Sequence, residues 1–185
     1  MPTSSRHATP PARYNGLAIA FHWLLALAIV GAFGVGLYMV DQPFSMNRLK
    51  LYNWHKWAGV TILTLSALRL LWRLMRPVPA DLPAPAWQRR ASHWVHGLLY
   101  ALFFAVPLAD WAYSSAAGFP IVWFGLLPLP DFVAPDKALA ETLKQTHRLL
   151  AYGLAALVVA HVAAALKHQL LDKDGLLLRM LPDRS

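Results

Sequence analysis

Apolar residues along this chain gather into four long stretches separated by short polar or proline-rich segments. The stretches run from Leu17 to Val40, Leu51 to Met75, Ser92 to Ala116 and Leu143 to Leu171. Each is long enough to cross a bilayer, which takes about 20 apolar residues. Lipid offers backbone groups no hydrogen-bond partner, so only helices or closed barrels can span it. The alternation of a barrel strand is absent, and the pattern predicts an all-α membrane protein, a four-helix transmembrane bundle. On this reading residues 1–16 form an N-terminal arm, 17–171 the four-span domain and 172–185 a C-terminal tail.

The second and third stretches are less pure, with Arg69 and Asp110 towards their ends. The connection "RPVPADLPAPAWQRR" has four prolines and predicts an irregular loop. The last connection, "GFPIVWFGLLPLPDFVAPD", is strongly apolar, but Pro120, Pro128, Pro130 and Pro135 argue against a fifth helix. It predicts an apolar cap lying on one end of the bundle. The segment "GLLLRMLP" after the last span is expected to rest at the opposite membrane interface. Trp54, Trp57 and Trp111 at one end, and Trp72 and Trp94 at the other, fit interfacial belts.

Composition agrees: 57% of the 185 residues are hydrophobic and only 14% charged, which leaves no material for a separate soluble domain. The formal charge of +8 invites a nucleic-acid reading, but its placement argues for topology instead. Eleven of the 17 Lys and Arg residues fall on the side of the two termini, six on the other. The positive-inside rule then predicts both termini in the cytoplasm. No nucleic-acid partner is expected. With no cysteine in the chain, disulfides, thiolate metal sites, iron–sulfur clusters and covalent C-x-x-C-H haem attachment are all excluded. The 24-residue first stretch follows a polar arm and exceeds a usual signal-peptide core, so it reads as a retained helix.

The chemistry lies in the histidines once each has a depth. His55 and His147 fall near the outer ends of the second and fourth spans, while His22, His93, His96 and His161 fall in the inner half. His168 lies further in, and His7 sits in the arm. Fourteen residues separate His147 from His161, just under four helical turns, so both project from nearly one face, roughly 21 Å apart. Leu154 is midway on that seam. A single intramembrane histidine can be explained by a hydrogen bond across helices, but two matched layers are harder to explain that way. Two imidazoles from different helices can clamp a haem iron from above and below, which suits electron transfer.

The outer layer offers one pairing, His55 with His147. At the inner layer His161 can pair with His22, His93 or His96, with His22 favoured because it sits well inside an uncharged span. Gly59, one turn after His55, is expected to leave room for a flat macrocycle. Gly36, fourteen residues after His22, puts a small residue at the outer level. Arg69, fourteen after His55, brings a guanidinium to the inner level, where it is a possible propionate partner. A zinc site is disfavoured because four ligands do not converge at one depth. Histidine-lined proton transport in a haem-free protein is an alternative, but it leaves the two layers unexplained.

Several segments, in this order, resemble the bacterial cytochrome b561 family, and within it the small four-span superoxide oxidase branch. They are "AIAFHW", "NWHKWAGVTILTLSALRLLWRLMRPVP", "HWVHGLLYALFFAVPL", "THRLLAYGLAALVVAHVAAALKH" and "LLLRMLP". The resemblance covers nearly everything after Arg13. It implies two b-type haems, the inner held by His22 and His161 and the outer by His55 and His147. It further implies a bacterial inner-membrane protein that oxidises periplasmic superoxide to dioxygen and passes the electron to ubiquinone. Lys56 and Arg148 would steer the superoxide anion by their charge, and His168 would neighbour the quinone. The chain departs from the family pattern in a longer N-terminal arm and in Gln169, where a second histidine is expected. A cytochrome b anchor subunit for a dehydrogenase or hydrogenase is the rival within this class. The short polar loops argue mildly against that rival, and no obligatory protein partner is inferred.

Overall fold

Each helix starts at a residue whose side chain or ring suits a helix start. In the computed structural model, which describes residues 13–182, Asn15 accepts the Ala18 N–H at 2.9 Å and opens α1 (Gly16–Val40). Ser45 accepts from Arg48 and opens α2 (Met46–Met75). Pro85, with its fixed φ and no N–H to lose, precedes α3 (Ala86–Ala116). Asp136 accepts from Leu139 and opens α4 (Lys137–Lys167). A wider turn, His168–Asp172, and a short 3-10 turn, Leu177–Met180, finish the chain. Four helices are long and apolar enough to cross a membrane. His7 and most of the N-terminal arm, with the last three residues of the tail, lie outside the described residues.

Three helices begin earlier than the apolar stretches suggest: α2 at Met46 rather than Leu51, α3 at Ala86 rather than Ser92, α4 at Lys137 rather than Leu143. The physical reason is that hydropathy marks what lipid covers, whereas a helix begins at its cap. "MNRLK" and "KALAET" are polar first turns that project past the hydrocarbon. The proline-rich connection accordingly shrinks to residues 76–85.

The helices pack in chain order, α1 on α2, α2 on α3, and α3 on α4 along most of its length, whereas the α1 and α4 backbones hardly approach each other. Rings bridge that open seam: His22 to His161, and Phe33 to Tyr152 with centres 5.9 Å apart. Leu25 and Ile29 of α1, Ile62 of α2, Leu99 and Phe103 of α3 and Leu154 of α4 form one buried apolar layer.

The last connection is more ordered than the sequence suggests. It forms a two-strand antiparallel hairpin, β1 (Val122–Trp123) and β2 (Leu127–Pro128). Phe124 and Gly125 both take positive φ at its turn, a conformation rare for a ring-bearing residue, and Phe124 is held there by ring contacts with Trp57 and Trp123. The hairpin is pinned to the bundle by Trp57 Nε1 donating to the Val122 carbonyl at 2.7 Å and Trp123 Nε1 donating to Thr61 Oγ1 at 3.3 Å. Trp111 Nε1 donates to the Pro130 carbonyl. Trp57 and Trp111 thus spend their indole N–H groups on the loop rather than on headgroups, while Trp54 and Trp94 stay exposed as belt residues do. Trp72 donates to the Asn15 side chain.

At the opposite end the tail folds back on the bundle. Trp23 Nε1 donates to the Met180 carbonyl at 2.7 Å, and the Tyr14 N–H to the Arg179 carbonyl. Arg179 is 4% exposed and donates to the Ala80 carbonyl at 2.8 Å. The tail therefore ties the start of α1 to the α2–α3 connection. Arg179→Ala is expected to cost about 2 kcal/mol, the range of a hydrogen bond from a charged donor. A lowered Tm in detergent, with unchanged spectra of the folded protein, is the readout.

Candidate metal centre

Two histidine pairs stand at two levels of the bundle. Near the hairpin end, His55 of α2 and His147 of α4 face each other with ring centres 6.0 Å apart and planes at 88°. Towards the end that carries both termini, His22 of α1 and His161 of α4 are 6.2 Å apart at 62°. A metal–imidazole bond is about 2 Å, so two imidazoles in line across one ion hold their ring centres roughly 6 Å apart. Both separations fit that arrangement. The buried layer around Leu154 lies on the helices between the two levels.

The hairpin-end pair is set for ligation by its second nitrogens. His55 Nδ1 is 3.0 Å from the Ala32 carbonyl of α1, and His147 Nδ1 is 3.0 Å from the Val106 carbonyl of α3. A carbonyl only accepts, so in each ring Nδ1 carries the proton and Nε2 keeps its lone pair. A Cβ at Gly36 would lie 3.1 Å from His55 Cε1, so the absence of a side chain is what admits the ring. At Gly59 an added Cβ would meet Pro107 of α3 at 3.9 Å, an ordinary packing distance, so the α2–α3 approach does not itself require a glycine there.

The other level holds three imidazoles. His96 of α3 lies 5.4 Å from His161, ring centre to centre, with its Nδ1 2.8 Å from the Ser92 carbonyl. Arg69 reaches this level: its Nη2 donates to His22 Nδ1 at 3.3 Å, and its guanidinium lies 5.6 Å over the Tyr100 ring. Arg73 lies over the same ring. His93 stands apart, exposed and paired with Asp81 at 3.2 Å.

Lys56 and Arg148 have different neighbours. Lys56 is half-buried, donates to the Phe119 carbonyl at 3.2 Å, and has Asp110 and Asp131 close enough to act on its charge. Arg148 is exposed and lies over Tyr152. His168 Nδ1 is 2.6 Å from Asp174 and 3.3 Å from Asp172, with Lys167 also on Asp172. Those three potential ligands cluster within 4.8 Å, but the lysine ammonium already neutralises one of the carboxylates.

Sequence reasoning missed the carbonyls of Ala32 and Val106, because a backbone acceptor leaves no signature in residue type. It reached His96 only as one of three options. The Ser92–His96 spacing of four residues, which brings a helix carbonyl to the ring, was the available clue.

The match of the family model described as "Prokaryotic cytochrome b561" spans residues 13–183. The chain belongs to the prokaryotic cytochrome b561 family. It is 36% identical over 173 residues to "Cytochrome b561 homolog 2" of Escherichia coli (strain K12), covering 92% of each chain. It is 33% identical over 177 residues to "Probable superoxide oxidase CybB" of Yersinia pestis, covering 93% of this chain and 97% of that one. "Cytochrome b561 homolog 1" of Escherichia coli (strain K12) is 30% identical over 174 residues, covering 93% and 98%. This cytochrome b561 is a membrane haem protein of electron transport, and the family implies b-type haem. The paired imidazoles, the proton-bearing Nδ1 atoms of His55 and His147 and the open α1–α4 seam fit such a group.

Gly36 gives a direct test of the hairpin-end pair. The His55 ring is held by the Ala32 carbonyl and lies 3.1 Å from where a methyl at Gly36 would sit, both on α1 and one turn apart, so an added methyl must push the ring by a few tenths of an ångström against that hydrogen bond. Gly36→Ala is expected to displace the ring, lower haem content or broaden one low-spin signal, and leave the other signal as in the parent. Low-temperature electron paramagnetic resonance of the purified protein reads both.

Proposed function

We propose that this cytochrome takes electrons one at a time from superoxide at the hairpin end and delivers them to ubiquinone. When bound, two b-type haems supply reversible one-electron chemistry between donor and quinone. His55 and His147 hold the first in this reading, and His22 and His161 the second. The observation that carries it is the pair of facing imidazoles at each of two depths, with both α4 members on one face of that helix. The choice of donor draws support from a relative described as a probable superoxide oxidase. The overall balance is two superoxide, one quinone and two protons giving two dioxygen and one quinol, so two single electrons must arrive for each quinone.

The residues act by holding and excluding. With two imidazoles committed to each metal, such a group would exchange electrons rather than bind a further ligand. The layer of Leu25, Ile29, Ile62, Leu99, Phe103 and Leu154 keeps water out between the levels, so charge crosses there as electrons rather than as protons. Arg69 is positioned to meet a carboxylate of the second cofactor. In this reading His168, hydrogen-bonded to Asp174, passes a proton to reduced quinone. Orientation follows the basic excess at the end of the two termini: termini in the cytoplasm, hairpin in the periplasm of a bacterial inner membrane.

The optical redox spectrum of the purified protein is the primary test. Bis-imidazole b-type bands that superoxide reduces and quinone reoxidises are expected. Bands indifferent to superoxide would instead favour an anchor subunit, and a colourless protein would reject the reading. His55→Ala, His147→Ala and His161→Ala are each expected to remove one of two low-spin haem signals, as measured by haem-to-protein ratio and spectrum.

Steering of the anion is tested separately. Lys56→Gln with Arg148→Gln is expected to slow superoxide consumption and flatten its dependence on ionic strength, because cationic steering is screened by salt. An unchanged rate and salt slope would remove these two residues from the approach path.

A further inference from the structure

The level nearer the termini contains one imidazole more than a single iron can use. His22, His96 and His161 come from three different helices, and the last two have the shortest ring separation, 5.4 Å. Their second nitrogens divide them. His96 gives its Nδ1 proton to the Ser92 carbonyl at 2.8 Å, which leaves Nε2 as a bare lone pair. His55 and His147 show the same pattern with the Ala32 and Val106 carbonyls. His22 shows the reverse. Its Nδ1 sits 3.3 Å from Arg69 Nη2, and a guanidinium can only donate, so in the neutral ring the proton lies on Nε2. For His22 to ligate through Nε2, Arg69 must release Nδ1 and the ring must change tautomer.

His96 needs neither change. Its separation from His161 is within one side-chain adjustment of the roughly 6 Å that in-line coordination sets. Because its Nδ1 bond is to the Ser92 carbonyl of its own helix, the ring can tilt without breaking a hydrogen bond between helices.

We propose that His96 is a reserve axial ligand, an imidazole that takes the iron position opposite His161 whenever His22 is absent or held by Arg69. This rests on the two-haem reading and extends it: the inner site becomes a three-histidine site in which Arg69 governs which of two rings is free to bind. Arg69 therefore acts as a positioning residue, through its hold on His22.

Four variants separate the outcomes: His22→Ala, His22→Leu to keep the volume filled, His96→Ala, and His22→Ala with His96→Ala. Haem-to-protein ratio and low-temperature electron paramagnetic resonance are read for each, and the hairpin-end haem signal serves as the check on folding. His96→Ala alone is expected to keep two bis-imidazole low-spin haems. At least one of the His22 variants is expected to do so too, with the g values of one haem shifted. The double variant is expected to lose that haem or turn it high-spin, and added imidazole to restore the low-spin signal.

The proposal is overturned if both His22 variants match the double variant, or if His96→Ala alone makes one haem high-spin, since His96 would then be the resident ligand. His161→Ala keeps the two questions apart. Two low-spin haems surviving in that variant would reject the paired-ligand reading itself, whatever His96 does.

Discussion

The interaction on which the rest depends is a hydrogen bond from an imidazole to a backbone carbonyl on a neighbouring helix. In hydrocarbon each polar group has to find its partner within the protein, and His55 and His147 find theirs in the Ala32 and Val106 carbonyls. Each bond does two things at once. It fixes which nitrogen carries the proton, leaving the other free for a metal, and it sets the register of one helix against another. His55 joins α2 to α1 and His147 joins α4 to α3, so the packing of the bundle and the free Nε2 lone pairs of these two rings rest on the same two contacts. Such bonds contribute about 1 kcal/mol each to helix association, so their larger effect is on geometry.

From that register the two-level plan follows. Once α4 is fixed by His147, its helical repeat carries His161 to the same face fourteen residues on, and Leu154 falls between them in the apolar layer. The α1–α4 seam stays open because rings, not backbones, meet across it. The other three helix pairs, α1 with α2, α2 with α3 and α3 with α4, pack closely.

Much of this was legible in the sequence, and the reasons are periodic ones. Four apolar stretches and a spacing of fourteen between His147 and His161 are regular signals, and they fixed the span count and the shared face. Helix starts were less legible. The polar turns at Met46, Ala86 and Lys137 interrupt hydropathy without interrupting the helix, and the Ser45 and Asp136 caps that start two of them emerged only from the structure. The hairpin was hidden because Phe124 at positive φ contradicts its own local preference and depends on Trp57 and Trp123 for support. The docked tail was hidden because its partners are mostly carbonyls, those of Arg179, Met180 and Ala80. The same blindness to backbone acceptors left His96 as a lesser option behind His22. Residue type cannot say which ring nitrogen holds the proton.

The charges complete the argument, since they are distributed by depth as the imidazoles are. At the hairpin end Lys56 is committed to the Phe119 carbonyl and has Asp110 and Asp131 near it, so its field outside the protein is partly cancelled. Arg148 is exposed on the α4 surface and has no acidic partner among the contacts it makes with Tyr152. An anion approaching from that side therefore meets Arg148 with the weaker cancellation, one residue along the helix from His147. At the other end the guanidinium groups of Arg69 and Arg73 both lie over the Tyr100 ring. Two cations at the level of His22, His96 and His161 make that level favourable to negative charge.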